Sequence, residues 1–564
     1  KISFFNKKYQ ITNPDYVTTI DKEEFVKKII PKYNLTKGIN EKKYRYISDQ
    51  VINNLPEVKD WYDNEFLKKN NFSNWKENII ALHKTKESQD NQSKSYRRLV
   101  FDEICANFLI LSENRKRIKK TKKFKIFKSI LSKEILKDLP FVLTNSQKKV
   151  LEEINLDLRS NSRMFRIIQG DVGSGKTIVS LLSIANVIES SYQCALMAPT
   201  EILAKQHYNL AKKIFKKTNI NISLLTGKTE NKIRKEIIYN LENGKINLVV
   251  GTHSLFQKKI FFKNLGLVII DEQHKFGVRQ RSELALKGGN NCDVLLMSAT
   301  PIPRTMMMSL YGDMDISKIL EKPNKRKKIL TVSKPEKKIN ELWSFINKQI
   351  KLDNQVFWVC PLIEESSYLD YSSAKKKFDI INKKFPNKVA LIHGALDKSE
   401  KDDILNKFLE KKIHILVSTT VIEVGIDFPN ANLIIIENAN KFGLAQLHQL
   451  RGRVGRGDKQ GVCVLLFNES LSKNAVKRIK ILKNSNDGFY IAEEDMRLRG
   501  FGDIIGYQQS GIKNFRFADP VVHEDLFLLA EKYIKNNSIN VNDEKFTFLL
   551  KLFDKAEIIN QRFG

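Results

Sequence analysis

Between Leu139 and about Leu320, and again from Val356 to about Phe467, short β-branched and apolar runs alternate with stretches of helical periodicity. This alternation constrains the chain most, because strands separated by helices pair in parallel and carry the helices on the sheet faces. The strands expected in the first block are Phe165 to Ile168, Ala195 to Met197, Leu248 to Val250, Leu267 to Ile270 and Val294 to Met297. In the second they are Val356 to Val359, Val389 to Ile392, Ile413 to Val417, Leu433 to Ile436 and Val462 to Phe467. The charged, proline-containing stretch EKPNKRKKI, Glu321 to Ile329, reads as a linker, so two α/β domains stand in tandem. Ahead of them, from about Asp21 to Lys137, apolar residues recur at three and four, most clearly in YRRLVFDEICANFLILSENRKRIKK, and imply a helical connector. The opening KISFFNKKYQITNPDYV alternates aromatic and polar residues and reads as one or two strands closed by Asn13-Pro14.

Composition narrows the classes. At about 150 residues per domain, a chain of 564 residues holds roughly four domains. No apolar run approaches the eighteen or so residues of a membrane span, so a membrane protein is not expected. Cys105, Cys194, Cys292, Cys360 and Cys463 lie far apart with no metal-binding spacing, which fits a reducing cytoplasm. The chain opens on Lys1 without the apolar core of a secretory leader and is expected to be N-terminally incomplete. The formal charge of +33 favours a polyanionic partner, but lysine, asparagine and isoleucine are abundant everywhere, so motifs must decide.

FRIIQGDVGSGKTIVSLLSI sets Gly170-x4-Gly175-Lys176-Thr177 directly after a strand and before an apolar helix, the context of a phosphate-binding loop. Gly170, Gly173 and Gly175 let the backbone turn tightly and aim N–H groups, including that of Ser174, at phosphate, while the helix dipole adds positive potential. Lys176 would neutralise the β- and γ-phosphates of ATP and Thr177 would ligate Mg²⁺. LGLVIIDEQHKFG puts Asp271 and Glu272 at the C-terminal end of an apolar strand, where Asp271 would hold Mg²⁺ and Glu272 would activate the attacking water. In HQLRGRVGRG, Arg451, Arg453 and Arg456 are spaced by glycines, and such arginines can reach phosphates across a cleft.

In order along the chain, GDVGSGKT, APTEILAKQH, GTHSLF, DEQH, SATPIPRT, STTVIEVGID and QLRGRVGRG resemble motifs I, Ia, Ib, II, III, V and VI of superfamily 2 helicases. WVCPLIEES, RRLVFDE and the tail MRLRGFGDIIGYQQSG further resemble the RecG family of bacterial DNA helicases, over nearly the whole chain. The implied fold is α/β, with two tandem RecA-like P-loop domains and parallel sheets. The implied blocks are a remnant of an OB-fold wedge domain (1–20), a helical connector (21–137), an ATP-binding RecA-like domain (138–320), a second RecA-like domain (321–485), and a helical hairpin with translocation tail (486–564).

The resemblance adds Gln147, Gly425, Asp427 and Gln449 to the ATP site and makes Arg453 and Arg456 its fingers. It gives coupling roles to His274, Ser298, Ala299, Thr300, Arg499 and Gln509, and DNA contacts to Thr200, Thr252, His253, Thr419 and Thr420. Phe4, Phe5 and Tyr9 could stack on bases but are expected in a core. The implied activity is ATP-dependent duplex DNA translocation that reverses stalled forks and migrates Holliday junctions. The implied partners are branched DNA and a single-stranded DNA-binding protein, for a monomer near the nucleoid. Another superfamily 2 motor, such as a transcription-repair coupling translocase or an RNA helicase, and a non-catalytic DNA-binding fragment are the alternatives. The tail departs from the family at Gly506-Tyr507-Gln508-Gln509-Ser510-Gly511, where Gly-Thr-Arg-Gln-Ser-Gly is usual, so one positive charge is missing.

Overall fold

The computed structural model describes residues 2–5, 8–12, 14, 17–23, 31, 33–84, 92–119, 121–257, 259–272, 289–298, 301–303, 314–323, 327–361, 367–419, 428–457, 459–468, 471–499, 515–537, 539, 541 and 543–555. They belong to two compact units, residues 1–113 with 513–564, and residues 114–512.

In the first unit, β1 (Ile2–Phe5) and β2 (Lys8–Ile11) pair antiparallel, with Phe4 opposite Tyr9. Phe4 is 63% and Tyr9 79% exposed, so the core placement expected for them is corrected. Their ring centres lie 4.9 Å apart. The centre of the unit is the helix Lys94–Ile118, which carries RRLVFDE. Arg98, fully buried, donates to Asp102 at 3.0 Å, to Asp60 at 3.1 Å and to the Ser73 carbonyl at 2.9 Å, and its guanidinium lies 4.7 Å from the Tyr62 ring centre. Glu103, also buried, accepts backbone N–H groups from Arg516 at 2.5 Å and from Phe517 and Ala518 at 2.9 Å. Arg97 pairs with Asp525. The later residues pack on the same helix bundle, with Tyr533 edge-on to Tyr62 at 5.2 Å.

In the second unit, the strands are β3 (Phe165–Gly170), β4 (Gln193–Met197), β5 (Ile222–Leu225), β6 (Leu248–Gly251), β7 (Leu265–Ile270), β8 (Asp293–Ser298) and β9 (Asp315–Ile319), then β10 (Leu330–Pro335), β11 (Gln355–Val359), β12 (Val389–Ile392), β13 (Ile415–Ser418), β14 (Ala431–Ile436) and β15 (Val462–Phe467). They form a seven-stranded sheet in the order β5-β6-β4-β7-β8-β3-β9 and a six-stranded sheet in the order β10-β15-β14-β11-β13-β12. Every pairing within both sheets is parallel. Strands covered on both faces read as continuous apolar runs, and β4, β7, β8 and β14 are buried along their whole length. The chain passes from one sheet to the other between Ile319 and Leu330, through the charged linker. Helices named below are α1 (Asn145–Arg159), α2 (Lys176–Glu189), α3 (Glu201–Ile214), α4 (Leu444–Arg451), α5 (Lys473–Asn484) and α6 (Gly488–Arg499). All five cysteines are buried and free of disulfides. Among the described residues no helix is long and apolar enough to cross a membrane.

Candidate active site

β3 delivers the chain to Gly170 and α2 receives it at Lys176, so the loop between them sits at the carboxyl end of the parallel sheet. Gly173 and Gly175 have φ of 75° and 87°, the left-handed region where glycine carries no steric penalty. At Gly175 a Cβ would also stand 2.2 Å from Gln147 Nε2. Gln147 supports the loop from behind. Its Nε2 donates to the Ser174 carbonyl at 2.8 Å, its Oε1 accepts from Thr144 N at 2.8 Å, and its own N–H bonds Thr144 Oγ1, a capping box that starts α1. Lys176 Nζ donates to the carbonyls of Gly170 at 2.7 Å and Asp171 at 3.0 Å. Burial pulls the Lys176 ammonium below its ordinary pKa, against the charges of Glu272, Asp271 and Asp171, and Arg456 adds to the depression. Thr177 follows, half-buried, and Ser174 is buried.

β7 ends at Ile270, which places Asp271 and Glu272 at the mouth of the same sheet. Asp271 Oδ1 accepts the Glu272 N–H at 2.9 Å and Oδ2 lies 2.8 Å from His207 Nε2 on α3. Burial alone would raise the Asp271 pKa, but His207, Lys176 and the Glu272 N–H hold it below the usual value. Glu272 is buried with φ 49°, a strained conformation for a residue with a side chain, of the kind that collects at working sites.

The second sheet brings α4 and the glycine-rich turn after it against this loop. A Cβ on Gly452 would stand 3.2 Å from Val172 Cβ, so the turn packs its backbone directly on the Val172 side chain. His448 Nε2 lies 2.8 Å from Asp171 Oδ1, and His448 Nδ1 lies 2.8 Å from Arg451 Nη2. Arginine can only donate, so Nδ1 accepts, and the imidazole proton sits on Nε2 facing Asp171. Arg451 in turn donates to the Leu482 carbonyl at 2.6 Å and the Ser485 carbonyl at 2.7 Å, at the end of α5. Lys322, in the linker, pairs with Asp171 and donates to the Asn486 carbonyl at 3.1 Å. Burial would raise the Asp171 carboxyl, yet His448 and Lys322 hold it well below the usual carboxylate range. An unbroken polar chain thus runs from the phosphate-binding loop through α4 to the α5–α6 turn. Arg453 is buried beside it, and half-buried Arg456 donates its Nε to the Gly452 carbonyl at 3.2 Å.

The remaining expected residues divide three ways. Ser298 closes β8, buried opposite Gln169, and Gln449 is half-buried on α4. Thr200 caps α3 by accepting Leu203 N–H at 3.3 Å, Thr252 and Thr419 are buried, and His253 is exposed. His274, Ala299, Thr300, Thr420, Gly425, Asp427, Gln509, the Arg499 side chain and the departing tail sequence lie outside the described residues. Four residues given no role in the sequence analysis emerge: Asp171, His207, Lys322 and His448. Three of them lie inside quoted motifs, whereas nothing in the linker sequence singles out Lys322.

Three family profiles match the chain: DEAD/DEAH box helicase over residues 144–309, Helicase conserved C-terminal domain over 337–458, and ATP-dependent DNA helicase RecG, domain 3, C-terminal, over 485–548. The ATP-dependent DNA helicase RecG of Thermotoga maritima is 42% identical over 533 residues, covering 94% of this chain and 67% of that one. Its counterpart in Aquifex aeolicus is 41% identical, covering 99% of this chain and 73% of that one. A solved structure of RecG bound to a three-way DNA junction superposes with a TM-score of 0.72 at 39% identity, covering 94% of this chain and 70% of that one. The domain 3 match weighs against the alternative motors and against a non-catalytic fragment. With its two RecA-like sheets, its phosphate-binding loop and these relatives, the chain belongs to the RecG family of ATP-dependent DNA helicases.

Proposed function

We propose that ATP binds between the two sheets and that its hydrolysis drives movement of branched duplex DNA, at stalled forks and Holliday junctions. The observation that carries this reading is the meeting of loop and arginine turn: Gly452 against Val172 and His448 on Asp171 bring the glycine-flanked arginines to the phosphate side. Lys176 exchanges its two carbonyl partners for phosphate oxygens, Glu272 orients and deprotonates water, and Arg453 and Arg456 stabilise the charge that develops on the transferred group. The hydroxyl of Thr177 and the ionised carboxylate of Asp271 are the hard oxygen donors that suit Mg²⁺. When bound, magnesium would supply charge neutralisation at the phosphates.

Loss of the γ-phosphate removes the arginines' anionic partner, the domains part, and the grip on DNA alternates between Thr200, Thr252 and His253 on one domain and Thr419 on the other. The junction-bound relative supports branched DNA as the substrate. The family resemblance supports a monomer near the nucleoid that works with a single-stranded DNA-binding protein. The test compares ATPase stimulation and unwinding on forked DNA, linear duplex and RNA, with Lys176→Ala and Glu272→Gln beside the unaltered chain. Fork-selective stimulation, abolished in both variants, is expected; equal stimulation by RNA, or wild-type hydrolysis in either variant, would overturn the reading.

A further inference from the structure

α3 meets the sheet with one face: Leu203, Ala204 and Ala211 are buried, and His207, four residues after Leu203 and four before Ala211, shares that face. The packing therefore carries a histidine, 7% exposed, to the mouth of β7. There Asp271 Oδ2 lies 2.8 Å from its Nε2. A carboxylate oxygen accepts, so His207 Nε2 is the donor of this bond. The other oxygen, Oδ1, is fixed by the Glu272 N–H at 2.9 Å. Both oxygens are thus pinned, one by a backbone donor that the strand end supplies and one by a side chain from a different element. Each keeps a further lone pair directed away from its donor.

We infer that His207 is a positioning residue for the magnesium-side carboxylate, fixing the rotation of Asp271 so that its free lone pairs face the phosphate-binding loop. The inference rests on the reading of Asp271 as the carboxylate that holds the metal. A core histidine satisfied for packing alone needs only some acceptor, and a backbone carbonyl would serve. A histidine placed on Asp271, of the two carboxylates at the strand mouth, instead sets the geometry of a metal ligand, a task for which donors behind the ligand are general. The Thr200 N-cap fixes the first turn of α3, ahead of His207 on the same helix.

The test measures Mn²⁺ binding to the ADP complex by electron paramagnetic resonance, together with the Mg²⁺ dependence of ATPase, for His207→Leu, His207→Ala, His207→Gln and Asp271→Asn. Removing the donor is expected to weaken Mn²⁺ binding by about 10- to 100-fold and to raise the Mg²⁺ concentration for half-maximal ATPase by a similar factor, well beyond any change in kcat. Glutamine, whose Nε2 can reach the place of the imidazole Nε2, restores most of the affinity; a packing role would give no such rescue. Wild-type Mn²⁺ affinity in whichever of the Leu and Ala variants folds overturns the inference. If Asp271→Asn weakens Mn²⁺ binding and the His207 variants do not, only the role of His207 falls. If Asp271→Asn also leaves it unchanged, the reading of Asp271 falls first.

Discussion

Arg98 and Lys176 are both buried cations, one in each unit, and their surroundings are opposites. Arg98 bonds two carboxylates and a carbonyl and lies over an aromatic ring, so its charge and its hydrogen bonds are satisfied by the same groups. Among the described residues Lys176 bonds two neutral carbonyls, while the charges that oppose its desolvation, those of Glu272, Asp271 and Asp171, belong to groups other than its hydrogen-bond partners. A closed cluster has nothing to exchange and serves to hold one arrangement. An open one keeps its cation ready for a better partner, which is what a phosphate-binding loop requires.

The sharpest way to break this contrast is to take charges from the open cluster. Arg456→Ala should lower ATP turnover by about 10³- to 10⁵-fold with nucleotide binding retained, and a loss below tenfold in steady-state ATPase would place the finger elsewhere. Next comes a matched pair. Arg98→Met should cost about 3–5 kcal/mol of stability in denaturant melts, because it strands Asp60 and Asp102. Lys176→Met should shift the same melts by less than about 1 kcal/mol while abolishing ATPase, since it relieves a desolvated charge. Similar stability losses in both would erase the distinction.

His448→Leu should cost roughly 1–3 kcal/mol by leaving Asp171 without its imidazole donor, and should lower DNA unwinding more than ATPase. The pH dependence has a definite sign. Asp171 is depressed in the folded state, so its contribution is complete above the ordinary carboxylate value of about 4 and is lost as pH falls through the folded value. Melting temperatures of the unaltered chain and Asp171→Asn should therefore converge in acid and keep a constant gap between pH 6 and 8. The smallest effect is Thr144→Ala, about 1 kcal/mol, from opening the capping box behind the loop.

Strands buried on both faces were legible because their whole length is apolar, and the phosphate loop because its glycines sit between such a strand and a helix. β5, β9 and β10 escaped because each mixes polar residues into a short run, as in DISKI and LTVSKP, and only neighbouring strands complete their burial. The pair His448–Asp171 joins residues 277 apart in sequence, and no local pattern encodes which residues meet across two sheets. His207 and Asp271 both stood in motifs, but their pairing, 64 residues apart in sequence, was not encoded in either. The alternation in the first strands suggested a core for Phe4 and Tyr9, whereas the pairing sets them opposite each other and exposed.

Glu103 also sets a clock. Its backbone partner at Arg516 lies 413 residues downstream. At ribosomal rates of 5–20 residues per second, roughly 20 to 80 s pass between the two leaving the ribosome. Throughout that interval Trp61, Tyr62 and Phe66 wait without the rings of Tyr533 and Phe548 that later pack around them. The motor domains can be finished while the first-made helices are still incomplete. During synthesis these helices, made before the motor domains, are thus secured after them.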